Sequence, residues 1–189
     1  WLKEQAEALG IDVYPGFAGG SVNFDGRRVT GVQTRDAGID KRGAKKAQFQ
    51  AGMNIKAKVT VFAEGTRGSL AKGLIAKLGL DQGKNHQLYE TGIKEIWRLP
   101  EARARELTGS VIHTLGAPLG TSGYDGGWIY GLSENRLSIG YVVGLDHPDV
   151  KLDPHALFTQ WKLHPAVAGL VAGGEVLRYG AKTIPGGGY

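Results

Sequence analysis

Apolar residues in the first part of the chain recur first at helical and then at strand spacing. They follow a helical period from Leu2 to Leu9, and Gly10 stands where such a helix is expected to end. Ile11–Tyr14 then predicts a short buried strand, closed by a Pro-Gly pair. Helix, tight turn and buried strand together predict the second half of a βαβ unit.

A hairpin and a buried strand are predicted next. Val22–Phe24 and Val29–Thr34 flank Asp25-Gly26, a pair typical of β-hairpin turns. A polar loop follows, and a further strand is expected around Met53–Ile55. Val59–Ala63 is a continuous β-branched and aromatic run, which predicts a strand buried on both faces.

The strand at 59–63 leads through a glycine-containing turn into a second helix. Leu70, Leu74 and Leu78 lie at i, i+4 and i+8, and Gly79 stands just past the helix end. In such an arrangement the N–H groups at the helix start face a phosphate or the edge of a ring.

The turn at 63–68 is the first candidate ligand site. Gly65 and Gly68 allow a ligand to approach the backbone closely, and Arg67 offers a cation for a pyrophosphate. An ordinary strand-to-helix turn is the alternative, because no GxGxxG or P-loop occurs in the chain.

From about residue 87 the pattern becomes that of antiparallel strands. Tyr89–Leu99 alternates along one face, and three more strands are expected at Ser110–Leu115, Trp128–Leu132 and Leu137–Val143, with Ser133–Arg136 as a hairpin loop. This region predicts an antiparallel sheet.

A helix after the sheet completes the second region. Asp153 is expected to cap it with Pro154 at its first position, and Leu157, Phe158 and Trp161 share one side. We therefore predict a mixed α+β and α/β chain in which a substrate domain is inserted into a nucleotide-binding fold.

The segment from Tyr124 to Trp128 is the second candidate ligand site. Gly126 and Gly127 precede an aromatic strand, so their backbone N–H and C=O groups are expected to be exposed to a flat ligand. Trp128 and Tyr130 would form the walls of that site. A loop with turn glycines is the alternative.

Other polar residues point to structural roles. The five histidines have no metal-ligand spacing and belong to no nucleophile motif, so neither a metal site nor a catalytic residue is predicted. Glu95 is a carboxylate on an otherwise apolar strand face, where we expect a buried ion pair rather than a catalytic acid. Arg178–Tyr189 suggests a strand that returns toward the first domain, followed by a glycine-rich lid.

Composition narrows the classes of function. The chain has no cysteine, which excludes disulfides, thiolate-zinc sites and iron–sulfur ligands within it. Its net charge is +5, but the basic residues are dispersed, so no nucleic-acid partner is expected. No apolar stretch is long enough to span a bilayer, and any membrane contact is expected to be peripheral. Both ends look like cuts in a longer sequence, and we expect an internal piece.

Seven segments together resemble the electron-transfer flavoprotein–ubiquinone oxidoreductase family, and the resemblance extends essentially from end to end. The segments are Trp1–Gly10, Val13–Gly16, Ala57–Gly65, Gly92–Trp97, Gly140–Asp146, Trp161–Pro165 and Tyr179–Ala181.

The resemblance implies a glutathione-reductase-like FAD domain with an inserted antiparallel-sheet quinone-binding domain. It places part of the FAD domain at 1–85, the quinone domain at 86–176 and the start of the return to the FAD domain at 177–189. A 4Fe–4S domain would lie outside this chain. Electrons from reduced electron-transfer flavoprotein would pass through cluster and FAD to ubiquinone, on the surface of the bacterial or the mitochondrial inner membrane.

The resemblance also implies sites. The second FAD motif matches Glu64, Gly65, Arg67 and Gly68, while Ser21 and Val22 fall where such folds offer backbone groups to adenine. The quinone contact is expected at Gly126 and Gly127, beside Trp128 and Tyr130. The family's Gly-Gly pair aligns with Asp125-Gly126, so the register of this contact is open by one residue.

Two other functions fit the residues. The first is a related FAD-dependent reductase or monooxygenase that acts on an isoprenoid or aromatic substrate. The second is an isolated scaffold without activity, because this chain alone is not expected to hold FAD tightly.

Overall fold

The structure is a computed structural model that describes residues 1–121, 123 and 125–187. Its backbone contacts divide the chain into two compact units, Trp1–Gln82 and Gly83–Tyr189. This division lies three residues before the predicted domain boundary at residue 85. Each unit is described by itself.

The first unit contains two short helices and two small sheets. Its elements are α1 (Leu2–Ala8), β1 (Gly19–Asp25), β2 (Arg28–Thr34), β3 (Ala37–Ile39), β4 (Lys45–Gln50), β5 (Asn54–Lys56) and α2 (Leu70–Leu78). One sheet has the order β1-β2-β5, and β3 pairs only with β4. All of these pairs are antiparallel.

Several local predictions for the first unit are confirmed. The β1–β2 hairpin turns between Asp25 and Arg28, which pair directly. Helix α2 ends at Gly79 in the left-handed conformation (φ 64°, ψ 39°), which a glycine adopts without steric penalty. The predicted polar loop was wrong in part, because it contains the β3–β4 hairpin. Asp40 stabilises its turn by accepting the N–H groups of Arg42 and Ala44, both at 2.8 Å.

Two predicted strands are absent, at Ile11–Tyr14 and Val59–Ala63. Neither segment has a ladder partner in the described part of the chain, and the side chains of Val59 and Val61 are 78% and 82% exposed. An extended segment counts as a strand only when a neighbour accepts its backbone hydrogen bonds. Both strand predictions were therefore wrong, and Val59–Ala63 is not buried on both faces as the sequence had indicated.

The described residues of the second unit form a five-stranded antiparallel sheet and three helices, and the strand order is β10-β6-β9-β8-β7. Its elements are β6 (Tyr89–Arg98), α3 (Glu101–Leu107), β7 (Val111–Leu115), β8 (Gly126–Gly131), β9 (Arg136–Gly144), α4 (Pro154–Leu163), α5 (Pro165–Val171) and β10 (Glu175–Pro185). The four predicted strands and the helix capped by Asp153 are confirmed, whereas α3 and α5 had not been predicted. The segment predicted to return to the first domain begins within β10, which pairs with β6.

The helices all pack on one face of this sheet among the described residues. Side chains alternate between faces along a strand, so the register assigns each residue to a side. The covered face holds the core, which consists of Ile93, Ile129, Leu137, Ile139, Tyr141 and Val143 together with Leu99, Ala104, Leu107, Leu157, Phe158, Trp161 and Val167. We call the opposite side, which carries Gly126, Trp128 and Tyr130, the open face.

Candidate functional site

Glu64 caps helix α2 in the first unit. Its carboxylate accepts hydrogen bonds from the N–H groups of Leu70 (3.1 Å) and Ala71 (2.8 Å). These bonds favour the ionised form and lower the pKa of Glu64 below its ordinary value. The helix-start N–H groups that had been predicted to face a ligand are therefore bonded to Glu64, and a direct contact between Glu64 and FAD stays a prediction.

The two glycines of this turn differ in their surroundings. Gly65 has φ 83°, and no atom lies within 4 Å of the position that a Cβ would take. A Cβ on Gly68 would lie 2.8 Å from Oε2 of Glu64 and 2.9 Å from Cβ of Ala71. Gly68 therefore makes room for the helix cap, while Gly65 leaves its backbone open to a ligand.

Ser21 and Val22 line a cleft of about 240 Å³ between β1 and the start of α2. Leu70, whose N–H group binds Glu64, lines the same cleft. The two groups of residues predicted to bind FAD are thus neighbours within the first unit. Arg67 lies in the turn that leads into α2, and it makes contacts of its own.

Gly126 and Gly127 are the first two residues of strand β8, which corrects the prediction that they precede that strand. Strand β8 pairs with β7 on one side and with β9 on the other, and both glycines take part in both ladders. Their backbone groups therefore face neighbouring strands, whereas the sequence had predicted that these groups are exposed. Tyr124, with which this motif begins, lies outside the described residues.

The two glycines also face opposite sides of the sheet. A Cβ on Gly127 would lie only 2.2 Å from the ring of Trp161, on the covered face. Thr114 Oγ1 accepts hydrogen bonds from Trp161 Nε1 (2.9 Å) and from the N–H group of Gly127 (3.2 Å). Gly127 is needed for this packing, and only Gly126 of the pair belongs to the open face.

Trp128 and Tyr130 extend from the open face. The indole of Trp128 lies across Gly140, where a Cβ would come within 2.2 Å of the ring. The hydroxyl of Tyr130 is 2.8 Å from Nε2 of His113 on β7. Three of the four predicted quinone residues therefore share one surface. His113, which had been assigned a structural role, joins them there.

A cavity of about 440 Å³ lies beside Trp128 on the open face. Small and apolar residues line it, including Gly92, Ile96 and Val142. Lys94, Arg178 and Lys182 also line it and supply positive charge. The arrangement suits a flat apolar ligand that carries oxygen atoms or negative charge.

Carboxylates gather where β8 begins. Asp125 is buried and accepts the N–H group of Gly144 at 2.9 Å. Burial, followed by the charges of Asp125 and Asp146, raises the pKa of Glu90. Burial and Asp125 also raise the pKa of Tyr141 to about 12. Within the described ranges, no group of three or more side chains could hold a metal ion.

Glu95 forms the buried ion pair that the sequence predicted. Lys162 Nζ lies 2.7 Å from Oε1 of Glu95, and Trp97 Nε1 donates to Oε2 at 2.8 Å. Both carboxylate oxygens are thereby bonded. The pair joins β6 to α4 and leaves no oxygen of Glu95 without a partner.

No helix in the part of the chain that the structure describes is both long enough and apolar enough to cross a bilayer.

A family model and several known proteins match the chain. The model described as ETF-QO, ubiquinone-binding, matches residues 89–184. Over all of its length the chain is 44% identical to "Electron transfer flavoprotein-ubiquinone oxidoreductase, mitochondrial" of Arabidopsis thaliana and 43% identical to the protein of that name from Homo sapiens. It covers 30% and 31% of those two proteins, and so spans about a third of their length.

Two solved structures share the fold. The flavin-dependent halogenase CmlS superposes with a TM-score of 0.61 at 15% identity, over 97% of this chain and 30% of that one. The flavin-dependent brominase Bmp2 superposes with a TM-score of 0.58 at 17% identity, over 97% of this chain and 41% of that one. The shared architecture agrees with the predicted mixture of helices and antiparallel sheets.

Proposed function

The chain belongs to the ETF-QO ubiquinone-binding family, and from this premise we propose that it is the ubiquinone-receiving part of a flavoprotein oxidoreductase. In that protein, electrons from reduced electron-transfer flavoprotein pass through FAD to ubiquinone. The name of the curated relatives favours this reaction over the alternative of a reductase or monooxygenase for an isoprenoid or aromatic substrate.

The open face of the second unit carries the proposal. Gly126, Trp128 and Tyr130 share that face, and the matched residues 89–184 include all three. A quinone head group is flat and largely apolar, so it can lie against the ring of Trp128 on the open face, beside Gly126 and the side chain of Leu115. Gly127 contributes indirectly, because it lets Trp161 support β8 from the other side.

The first unit supplies part of the FAD site in this proposal. The cleft at Ser21 and Val22 would receive the adenine, and the backbone at Gly65 would lie against the cofactor. Arg67 and Gly68 complete the turn. Glu64 joins that turn to the start of α2 through its hydrogen bonds with the N–H groups of Leu70 and Ala71. The open space at Gly65 and the fold shared with flavin-dependent enzymes support this assignment.

The domain plan follows from the same family. Residues 1–85 form part of a glutathione-reductase-like FAD domain, 86–176 form an inserted quinone domain, and 177–189 begin the return. The remaining two thirds of the protein would supply the rest of the FAD site and a 4Fe–4S cluster. Relatives named as mitochondrial support a place at the inner mitochondrial membrane, and the inner membrane of a bacterium is the alternative.

FAD and the residues of this chain have different roles in the proposed reaction. When bound, FAD supplies the electron pair. The residues of this chain orient the two partners. Trp128 and Gly126 give the quinone ring a flat apolar support, and the cations Lys94, Arg178 and Lys182 favour the negative charge that develops on its oxygens.

A charge placed on the open face tests the quinone site. Leu115 lies opposite Gly126 and is 79% exposed, so Leu115→Glu in the full-length protein should leave the fold intact. The new carboxylate would sit beside a flat apolar ligand, and the KM for a soluble quinone analogue is expected to rise about tenfold, the equivalent of ~1.4 kcal/mol. Flavin reduction by electron-transfer flavoprotein should stay unchanged.

Leu163→Glu is the matched control. Leu163 is similarly exposed, at 73%, but ends α4 on the other side of the sheet. Its KM for the quinone should equal that of the unaltered protein. Equal KM values in both variants would move the quinone away from the open face.

A further inference from the structure

A histidine and a tyrosine form a hydrogen-bonded pair on the open face. His113 Nε2 lies 2.8 Å from the hydroxyl of Tyr130, and the two ring centroids are 5.7 Å apart. His113 is exposed, so its imidazole can exchange protons with water. No other histidine occurs in the five described strands of this sheet.

The register places this pair beside the proposed quinone. His113 lies directly opposite Trp128, and its neighbour on the same face of β7, Leu115, lies opposite Gly126. His113 and Gly126 are therefore diagonal neighbours, and such residues are roughly 7–8 Å apart across a sheet. His113 is the direct cross-strand partner of Trp128, so its imidazole can reach an oxygen of a ring that lies against Trp128. Because Nε2 is hydrogen-bonded to Tyr130, Nδ1 is the nitrogen left for that contact.

Quinone reduction requires proton donors. Each carbonyl oxygen of the ring becomes a hydroxyl, so two protons must arrive for the two electrons. A histidine can donate and recover a proton near neutral pH, and a hydrogen bond to its second partner fixes the orientation of its ring. The Tyr130 hydroxyl is placed to provide that bond.

We propose that His113, oriented by Tyr130, donates a proton to one carbonyl oxygen of the quinone as it is reduced. This inference rests on the proposed function, in which reduced FAD supplies the electron pair. The N–H bond of the protonated imidazole breaks and an O–H bond forms on the quinone. The neutral imidazole then regains a proton from solvent, and water supplies the second proton of the quinol.

The charged groups on the open face also favour proton transfer to the quinone. Those that share the open face with His113 in the described residues are Tyr130 on β8, Glu90, Lys94 and Arg98 on β6, Arg136 on β9, and Glu175, Arg178 and Lys182 on β10. Arg98 is paired with Glu175 and Arg136 with Glu134. Lys94, Arg178 and Lys182 are cations that line the cavity beside Trp128, where they stabilise negative charge on a quinone oxygen that awaits its proton. Glu90 lies beyond β9, two strands away from β8.

The test compares three variants in the full-length holoenzyme with a soluble quinone analogue. His113→Ala should lower the turnover number about 100-fold, the lower end of what a positioned proton donor contributes. Added imidazole should restore much of that rate, because it supplies the missing donor. Tyr130→Phe keeps the ring but loses the hydroxyl, and about a tenfold loss is expected. His155→Ala alters an exposed histidine on α4, on the other side of the sheet, and should retain full turnover.

The outcomes distinguish a failure of this inference from a failure of the proposed function. An unaltered protein that reduces its flavin but does not turn over quinone would refute the proposed function. Quinone turnover that survives in His113→Ala, or is lost there without rescue by imidazole, would refute the proton donor alone. Loss of flavin reduction in His113→Ala would mean that this variant disturbs the fold. The test is then made with His113→Gln, and unchanged quinone turnover in that variant would overturn the inference.

Discussion

The two units differ in how they use apolar residues of the same kind. In the second unit the alternating pattern of β6 to β9 is buried beneath three helices, and every buried apolar side chain in the core belongs to this unit. In the first unit Val59 and Val61 stay largely exposed, although their β-branched and aromatic run predicts a strand buried on both faces. A hydrophobic pattern therefore becomes structure only where the surface that covers it is present.

The two units also differ in the interactions that stabilise them. The second unit is held by a core in which Trp161 and Phe158 stack on each other and Trp161 packs on Tyr141. The first unit relies on backbone ladders, helix ends and the cap that Glu64 provides. Changes in side-chain volume should therefore matter far more in the second unit, and changes in local hydrogen bonding should be visible in the first.

The largest effect is expected from Trp161→Ala. The ring is 2% exposed, and its N–H group donates to Thr114, so its removal leaves a cavity and takes away one of the two donors that the Thr114 hydroxyl accepts. The free energy of unfolding should fall by about 4 kcal/mol. Urea denaturation followed by circular dichroism measures this loss. Val61→Ala in the first unit should change stability by less than about 0.5 kcal/mol, and comparable losses in the two variants would remove the contrast between the units.

A pair of glycines sharpens the comparison. Gly127→Ala places a methyl group against the ring of Trp161 and should destabilise the second unit by about 2–3 kcal/mol. Gly65→Ala meets no atom within 4 Å and is opposed only by its left-handed backbone, so about 1 kcal/mol is expected. Thermal unfolding of both variants provides the measurement. A larger loss at Gly65 would mean that backbone conformation outweighs packing in this chain.

The smallest expected effect is a dependence of stability on pH that has opposite signs at Glu64 and Glu90. The pKa of Glu64 is lowered in the folded state, so its contribution is present above the ordinary value of about 4.5 and is lost as the pH falls through the folded pKa. The pKa of Glu90 is raised, so stability is lost as the pH rises from the ordinary value through the folded pKa.

Amide exchange resolves the two responses when each rate is divided by its intrinsic value. Protection of the Leu70 and Ala71 amides should weaken toward acid pH, and Glu64→Ala should abolish that dependence. Protection within β6 should instead weaken as the pH rises above the ordinary range of Glu90, and Glu90→Gln should remove that change. Responses of the same sign in both units would contradict the assignment.

Much of the local structure was predictable from neighbouring residues. Gly79 ended a helix as expected, Asp153 capped one, and the Asp25-Gly26 pair turned a hairpin. The alternation of β6 also identified Glu95 as a buried carboxylate in need of a cation. The resemblance of seven short segments to one family led to the same family that the comparisons show.

The sequence by itself determined those features whose interactions span a few residues, such as helix ends, hairpin turns and the side-chain alternation of each strand. Only the tertiary structure decided that Gly126 and Gly127 lie within a strand and face opposite sides, because that depends on pairing with β7 and β9. The same register brings His113 to Tyr130, 17 residues away. A pleated strand fixes which residues share a face, but only its neighbours decide which face is covered.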